Sequence, residues 1–159
     1  MPDRKEPVFE LIEPSGRLAR LRDYWQGVRP GALPRRRDID FVGIGMMLVP
    51  YVFLVDVLEQ GRRFRWRFIG THITRHAGSD DTGLDLDISI APMMRDTIIG
   101  HYRRVVTERR PLCHRGDFIG SDGRVFRYER LLLPVLADDE ASIDTVLGGA
   151  AFAQMASPA

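Results

Sequence analysis

The chain has 159 residues, 44% of them hydrophobic, enough for one domain with a real core. A formal net charge of +1 excludes a general pull toward nucleic acid or acidic membrane, so any anion site must come from local arginines. The sole cysteine, Cys113, excludes an intramolecular disulfide and fits a reducing compartment. The N-terminus has no signal-peptide core, and the longest apolar run is broken by Pro50 and too short to span a bilayer. The expectation is a soluble, cytoplasmic protein without membrane insertion.

In chain order, residues 1–14 are charged and interrupted by proline, which predicts a flexible arm. Ser15 is placed to cap a helix over 15–27, with Leu18, Leu21, Trp25 and Val28 at three- and four-residue steps. So narrow a stripe packs against one surface, either the chain's own sheet or a second subunit, and the first is the plainer expectation. Arg29-Pro30-Gly31 ends this helix. Asp38 is the expected cap of a short helix over 39–48, weakened by Gly43 and Gly45 and closed by Pro50.

The stretch 52–71 predicts a hairpin turning at Glu59-Gln60-Gly61. In its second strand Phe64, Trp66 and Phe68 alternate with Arg63, Arg65 and Arg67, placing aromatics on one face and arginines on the other. A helical turn over 72–78 with Gly78 as its stop precedes turns and caps over 79–87. Pro92 opens a helix to 109, with Met94, Ile98, His101 and Val105 on one stripe beside Tyr102 and Val106. Strands follow over 113–119, 125–135 and 143–152, joined by turns at Ser121-Asp122-Gly123 and 138–141. The sum is a single α+β domain over 15–152, an antiparallel sheet with a helical connector, and a loose tail over 153–159.

The element order resembles the PAS domain, a five-stranded antiparallel sheet with helices between its second and third strands. Tyr24-Trp25, Arg29-Pro30-Gly31, Leu33-Pro34 and Asp38-Ile39-Asp40 resemble the opening of a family of short, stand-alone bacterial PAS proteins. Arg67 with Gly70-Thr71, Thr82-Gly83, Asp122-Gly123-Arg124 and the run from Tyr128 to Pro134 extend that likeness over roughly 18 to 152. Phe41 departs from it, standing where many members carry proline. The resemblance implies a sensory or regulatory module that holds a small molecule between sheet and helices or acts through dimerisation. With no room for an attached output domain, signalling is expected in trans through a protein partner.

On this reading Trp66, Phe68, His101, Tyr102 and Tyr128 are the expected pocket residues, with Arg67 and Arg130 as polar anchors. Which alternate set of the Tyr128–Arg130 strand faces inward stays open, because a slip of one residue reverses it. A structural Glu–Arg pair across neighbouring strands is the plainer use of Glu129, Arg130 and Arg67. Leu18, Leu21, Trp25 and Val28 are the expected seam of a homodimer if they do not cover the chain's own sheet. The resemblance also allows haem, since His101 lies on the helix that carries the iron ligand in haem-binding PAS domains. Cys113 lacks the helical Asn-Cys-Arg context of flavin photosensors, which speaks against that photochemistry.

His72 and His76 lie four apart, but Ile73 stands where the zincin pattern needs Glu, and the preferred reading is surface histidines without metal. The aspartates over 80–87 lack calcium-loop spacing. No nucleophile elbow, P-loop or dinucleotide turn is present, so neither a catalytic residue nor an enzymatic activity is assigned. The alternatives carried forward are a ligand-free docking or dimerisation module and a haem sensor. A small enzyme dependent on His101 ranks last.

Overall fold

A computed structural model describes residues 9–119 and 125–154. The strands are β1 (Glu10–Leu11), β2 (Val52–Leu58), β3 (Arg63–Ile69), β4 (Leu112–Ile119), β5 (Val125–Leu136) and β6 (Ile143–Gln154). They form one antiparallel sheet in the order β1-β4-β5-β6-β2-β3. The helices are α1 (Gly16–Gly27), α2 (Phe41–Ile44), α3 (Thr71–Ala77), α4 (Leu86–Ser89) and α5 (Pro92–Glu108). The expected α+β architecture is the one observed, with one strand more than the sequence predicts.

That strand comes from the arm. Glu10 and Leu11 pair with Arg115 and His114 on the edge of β4, and Ile12 N–H adds a bond to the Cys113 carbonyl at 3.1 Å. The flexible arm over 1–14 is therefore tied down at its C-terminal end. At the other end of the chain, Ala153 and Gln154 extend β6 into the expected loose tail. The hairpin turn at Ser121-Asp122-Gly123 lies outside the described residues.

Each sheet face carries its own core. One buries Leu18, Leu21 and Trp25 of α1 with Val52, Cys113, Leu131, Leu133 and Leu147. The other buries Ile98, Ile99, Tyr102 and Val105 of α5 with Phe53, Val55, Phe64, Leu112 and Leu132. The alternation of Leu131 and Leu133 against Leu132 splits β5 between them, as the strand period requires. Adjacent glycines on β6 accommodate both layers. A Cβ at Gly148 would lie 2.0 Å from the Phe53 ring, and one at Gly149 would lie 2.8 Å from Leu18 Cδ2.

Leu18, Leu21 and Trp25 are thus spent on the chain's own sheet, with Trp25 Nε1 donating to the Pro134 carbonyl at 2.9 Å. A dimer seam through these three residues is corrected by that burial; Val28 lies beside them, half-buried.

The second helix also differs from expectation. Asp38 does not cap it but closes a 3₁₀ turn, Arg36–Asp38, through its carboxylate to Arg35 Nε at 2.9 Å. Asp40 is the cap, accepting from Gly43 N–H, and the helix ends at Gly45 with φ of 94°. The hairpin of β2 and β3 forms as expected, with Gly61 at φ of 91°. Its register shifts between Leu54 and Val55, however, so Val55 faces Trp66 while Leu54 faces Phe68. This bulge ends the strict alternation after Trp66. Phe64 and Trp66 stay on the α5 side, whereas Phe68 turns to the α1 side and packs on Phe41 at 4.7 Å between centroids.

Candidate functional site

The α5 side of β4 and β5 holds a polar cluster inside an otherwise apolar layer. Antiparallel register sets Arg130 opposite His114, and Tyr128 opposite Gly116. Because Leu132 of this face lies two residues beyond Arg130, Tyr128 and Arg130 face α5 while Glu129 faces away. α5 lowers His101 and Tyr102 onto them. Arg130 Nη2 donates to His101 Nδ1 at 3.1 Å and to His114 Nε2 at 2.8 Å, and Arg130 Nε reaches the same His114 nitrogen at 3.2 Å. The guanidinium carbon stands 5.3 Å from the centre of the Tyr102 ring. Phe9 meets His101 and His114 edge-on, each at 5.2 Å, and Tyr128 at 6.0 Å. Gly116 makes room for it: a Cβ there would lie 3.0 Å from the Phe9 ring.

The donors dictate the tautomers. A guanidinium cannot accept, so His101 Nδ1 and His114 Nε2 both present lone pairs and both rings are neutral. His101 then carries its proton on Nε2 and His114 on Nδ1, and the latter is buried without a partner among the described residues. Burial first, then the Arg130 charge, lowers His114 to about 2 and His101 to about 4. Burial raises the Tyr102 phenol to about 12, against the opposing pull of Arg130. Arg130 is 7% exposed, and no carboxylate pairs with it among the described residues. Removing an ion from water costs several kcal/mol, and neutral imidazoles satisfy its N–H groups without compensating its charge.

The seven expected pocket residues therefore separate. His101, Tyr102, Tyr128 and Arg130 come together. Trp66 lies on the same sheet face but is engaged with the connector, its Nε1 donating to Ser89 Oγ at 3.0 Å and its ring edge-on to Phe53. Arg67 and Phe68 lie on the opposite face. There Arg67 Nε binds Asp56 at 3.0 Å, beside a cavity of about 160 Å³ lined by Arg36, Ile39, Leu54, Arg67, Val135 and Thr145. Glu129, turned to the face away from Arg130, makes no ion pair with Arg67 or Arg130 among the described residues. The other two arginines of the stripe, Arg63 and Arg65, converge on Asp85 at 2.9 and 3.2 Å.

Sequence reasoning missed His114 and Phe9. His114 carries no motif, and its role follows only from the register that sets it opposite Arg130. Phe9 belongs to a segment whose two-residue strand is too short to announce itself by periodicity.

Neither haem nor a metal finds a suitable donor set here. His101 is pressed by the His114 ring at 4.2 Å and by Phe9, and its Nδ1 is held by a cation, so no apolar slot faces it for a macrocycle. His72 stacks on Tyr51 at 4.2 Å, and the His72 carbonyl lies 2.9 Å from His76 Nδ1. No three His, Cys, Asp or Glu side chains converge for a metal among the described residues. Cys113 is buried on the α1 side, away from the cluster, and burial pushes its thiol up to about 11. No helix among the described residues is long and apolar enough to cross a membrane.

A sequence model of the PAS domain matches residues 14–150. Among solved structures, a fungal LOV domain photoreceptor, from a pathway integrating blue light and oxidative stress, shares 18% identity. It covers 84% of this chain and 87% of its own, with a TM-score of 0.49. An RNA-binding light-oxygen-voltage receptor shares 16% identity with a TM-score of 0.50, covering 91% of this chain, which spans 38% of that receptor. A comparison with curated proteins finds no match. At these identities the likeness to the two receptors is one of fold.

Proposed function

Since the chain belongs to the PAS domain family, we propose that it is a small-molecule-sensing or regulatory module of bacterial signal transduction, acting in trans through protein contacts. The observation that carries this reading is the contrast between the two sheet faces. Under α1 one face is closed with hydrocarbon and one buried indole bond, and its ion pairs of Arg36 and Arg67 with Asp56 lie part-exposed beside the cavity at its margin. The α5 face places a buried guanidinium, a buried and a half-buried neutral imidazole and two buried phenols in its layer. Well-packed apolar groups would hold that layer together at least as well, so the polarity suits recognition.

A guest can shift such a module only by binding two of its arrangements differently. The segment suited to respond is the connector carrying α3 and α4, whose attachments to β3 are the Asp85 ion pairs, the Trp66–Ser89 bond and a two-rung bridge at Gly83 and Leu84. This role needs no catalysis, and the placement of Cys113 on the opposite sheet face supports an output that does not depend on thiol photochemistry. Native mass spectrometry of gently purified protein tests the reading. A reproducible mass excess lost on denaturation is expected; a bare mass under all conditions, with no ligand-dependent stabilisation, would count against it.

One observation favours a docking role, alone or as the output of sensing. Val42, Met46 and Met47, around the end of α2, are 93%, 91% and 81% exposed. A homodimer or partner contact is proposed to use this patch rather than the buried α1 stripe. Val42→Asp with Met47→Asp should abolish self-association in sedimentation without lowering Tm, and an unchanged sedimentation coefficient from an associating wild type would exclude the patch.

A further inference from the structure

We propose that Arg130 receives the carboxylate of a small amphipathic acid, and that Phe9 is the displaceable cover occupying the place of that acid's apolar body. The inference rests on the sensing reading above and names the class of ligand.

Three observations carry it. First, Arg130 is a permanent cation, nine-tenths buried, with no acidic partner among the described residues. Its Nε and Nη2 are spent on imidazoles, while Nη1 bonds to no acid and no imidazole among the described residues, so its N–H groups can meet a carboxylate. Second, the ligand charge follows from the count: one buried cation beside two neutral rings is balanced by a monoanion. A dianionic phosphate would need further cations close by. Third, the rings that Phe9 now covers, those of His101, His114 and Tyr128, suit an aromatic or apolar body.

The attachment of Phe9 makes it the movable wall. It is followed by a strand of two residues on the sheet edge, where Leu11 is 60% exposed, and Glu10–Arg115 is a surface ion pair at 2.9 Å. Surface pairs of this kind contribute little. Opening the site thus disturbs a two-residue ladder, whereas moving α5 would disturb four buried side chains. Binding would release the arm at Phe9 and so change the sheet edge beyond β4, a local event with a consequence at the surface.

Phenylacetate is the probe, because its benzyl group matches the Phe9 side chain and its carboxylate supplies the missing charge. Calorimetric and thermal-shift titrations of the full chain at neutral pH should show binding of phenylacetate, several-fold tighter in Phe9→Ala, and none of phenylacetamide. Arg130→Gln should weaken binding at least about 30-fold, the scale on which a buried charge partner is lost. Should Arg130→Gln fail to fold, the comparison of acid with amide in Phe9→Ala decides. Equal binding of the amide, undiminished binding by folded Arg130→Gln, or stabilisation by inorganic phosphate equal to that by phenylacetate would overturn the proposal. Indifference of both wild type and Phe9→Ala to millimolar phenylacetate would overturn it too. In that case a neutral guest seen by native mass spectrometry leaves the sensing reading standing, whereas a bare mass removes both.

Discussion

Trp25 shows how a residue of the family signature serves the frame rather than the ligand. Its Nε1–H ends on the carbonyl of Pro134, which joins the two separated motifs Tyr24-Trp25 and Leu133-Pro134. Tyr24 works in the same way, its hydroxyl accepting from Asp40 N–H at 3.0 Å and so fixing the approach to α2. Trp25→Phe keeps most of the packing but leaves that buried carbonyl without its donor, and should cost about 1–3 kcal/mol in chemical denaturation. A loss below about 0.5 kcal/mol would mean that water replaces the indole. Gly148→Ala tests the opposite layer. The Phe53 ring is 1% exposed and has no room to retreat from a new methyl, so the variant should lose about 1–3 kcal/mol or more. An undisturbed Tm would show that β6 can shift.

Among elements, the bulge in the β2–β3 hairpin has the largest consequence. By turning Phe68 to the face that Arg67 already takes, away from α5, it divides between two faces an aromatic set that simple alternation would keep on one. The same hairpin holds the connector through Asp85, whose carboxylate is lowered below its usual range by the Arg63 hydrogen bond and by Arg65. These pairs are solvent-accessible, so Asp85→Ala should leave the global stability little changed. Hydrogen exchange should nevertheless quicken at Leu84, Ile88 and Ser89, whose amides bond within this turn and α4. Unchanged exchange would assign the hold to buried Leu86 and to the Trp66 backbone instead.

For the whole molecule, the histidine cluster predicts the pH response. His101 is lowered from 6.5 to about 4 and His114 from 6.5 to about 2, so the unfolded chain takes up these protons first. Stability is then full above about 6.5 and falls as pH drops below it, since unfolding binds protons there. Asp38, lowered from 3.8 to about 2 chiefly by its Arg35 hydrogen bond, adds a second loss only at more acid pH. Thermal unfolding across this range should show Tm declining from near neutrality, with proton uptake on unfolding. His114→Gln keeps an acceptor for Arg130 and should flatten the decline; the same slope in wild type and variant would remove His114 as its source. A bound carboxylate should oppose the decline, because it offsets the Arg130 charge that disfavours the imidazolium.

Taken alone, the sequence determined the α+β class, the α1 stripe, the β2–β3 hairpin, α5 from Pro92 onward and the strands that follow. These signals are local: helical spacing, strand alternation, proline starts and glycine turns act within a few residues of one another. It also singled out His101, Tyr102, Tyr128 and Arg130, by apolar context and by resemblance. Only the tertiary structure decided that these four meet, that His114 and Phe9 complete their surroundings, and that Arg67 and Phe68 do not join them. The reason is the two-residue period of a strand. Register across β4 and β5, and one bulge between β2 and β3, choose the face of every side chain beyond them, and both are set by pairing between strands rather than by the pattern within either one. The fate of the α1 stripe was decided at the same level, since covering its own sheet and covering a second copy require the same residues.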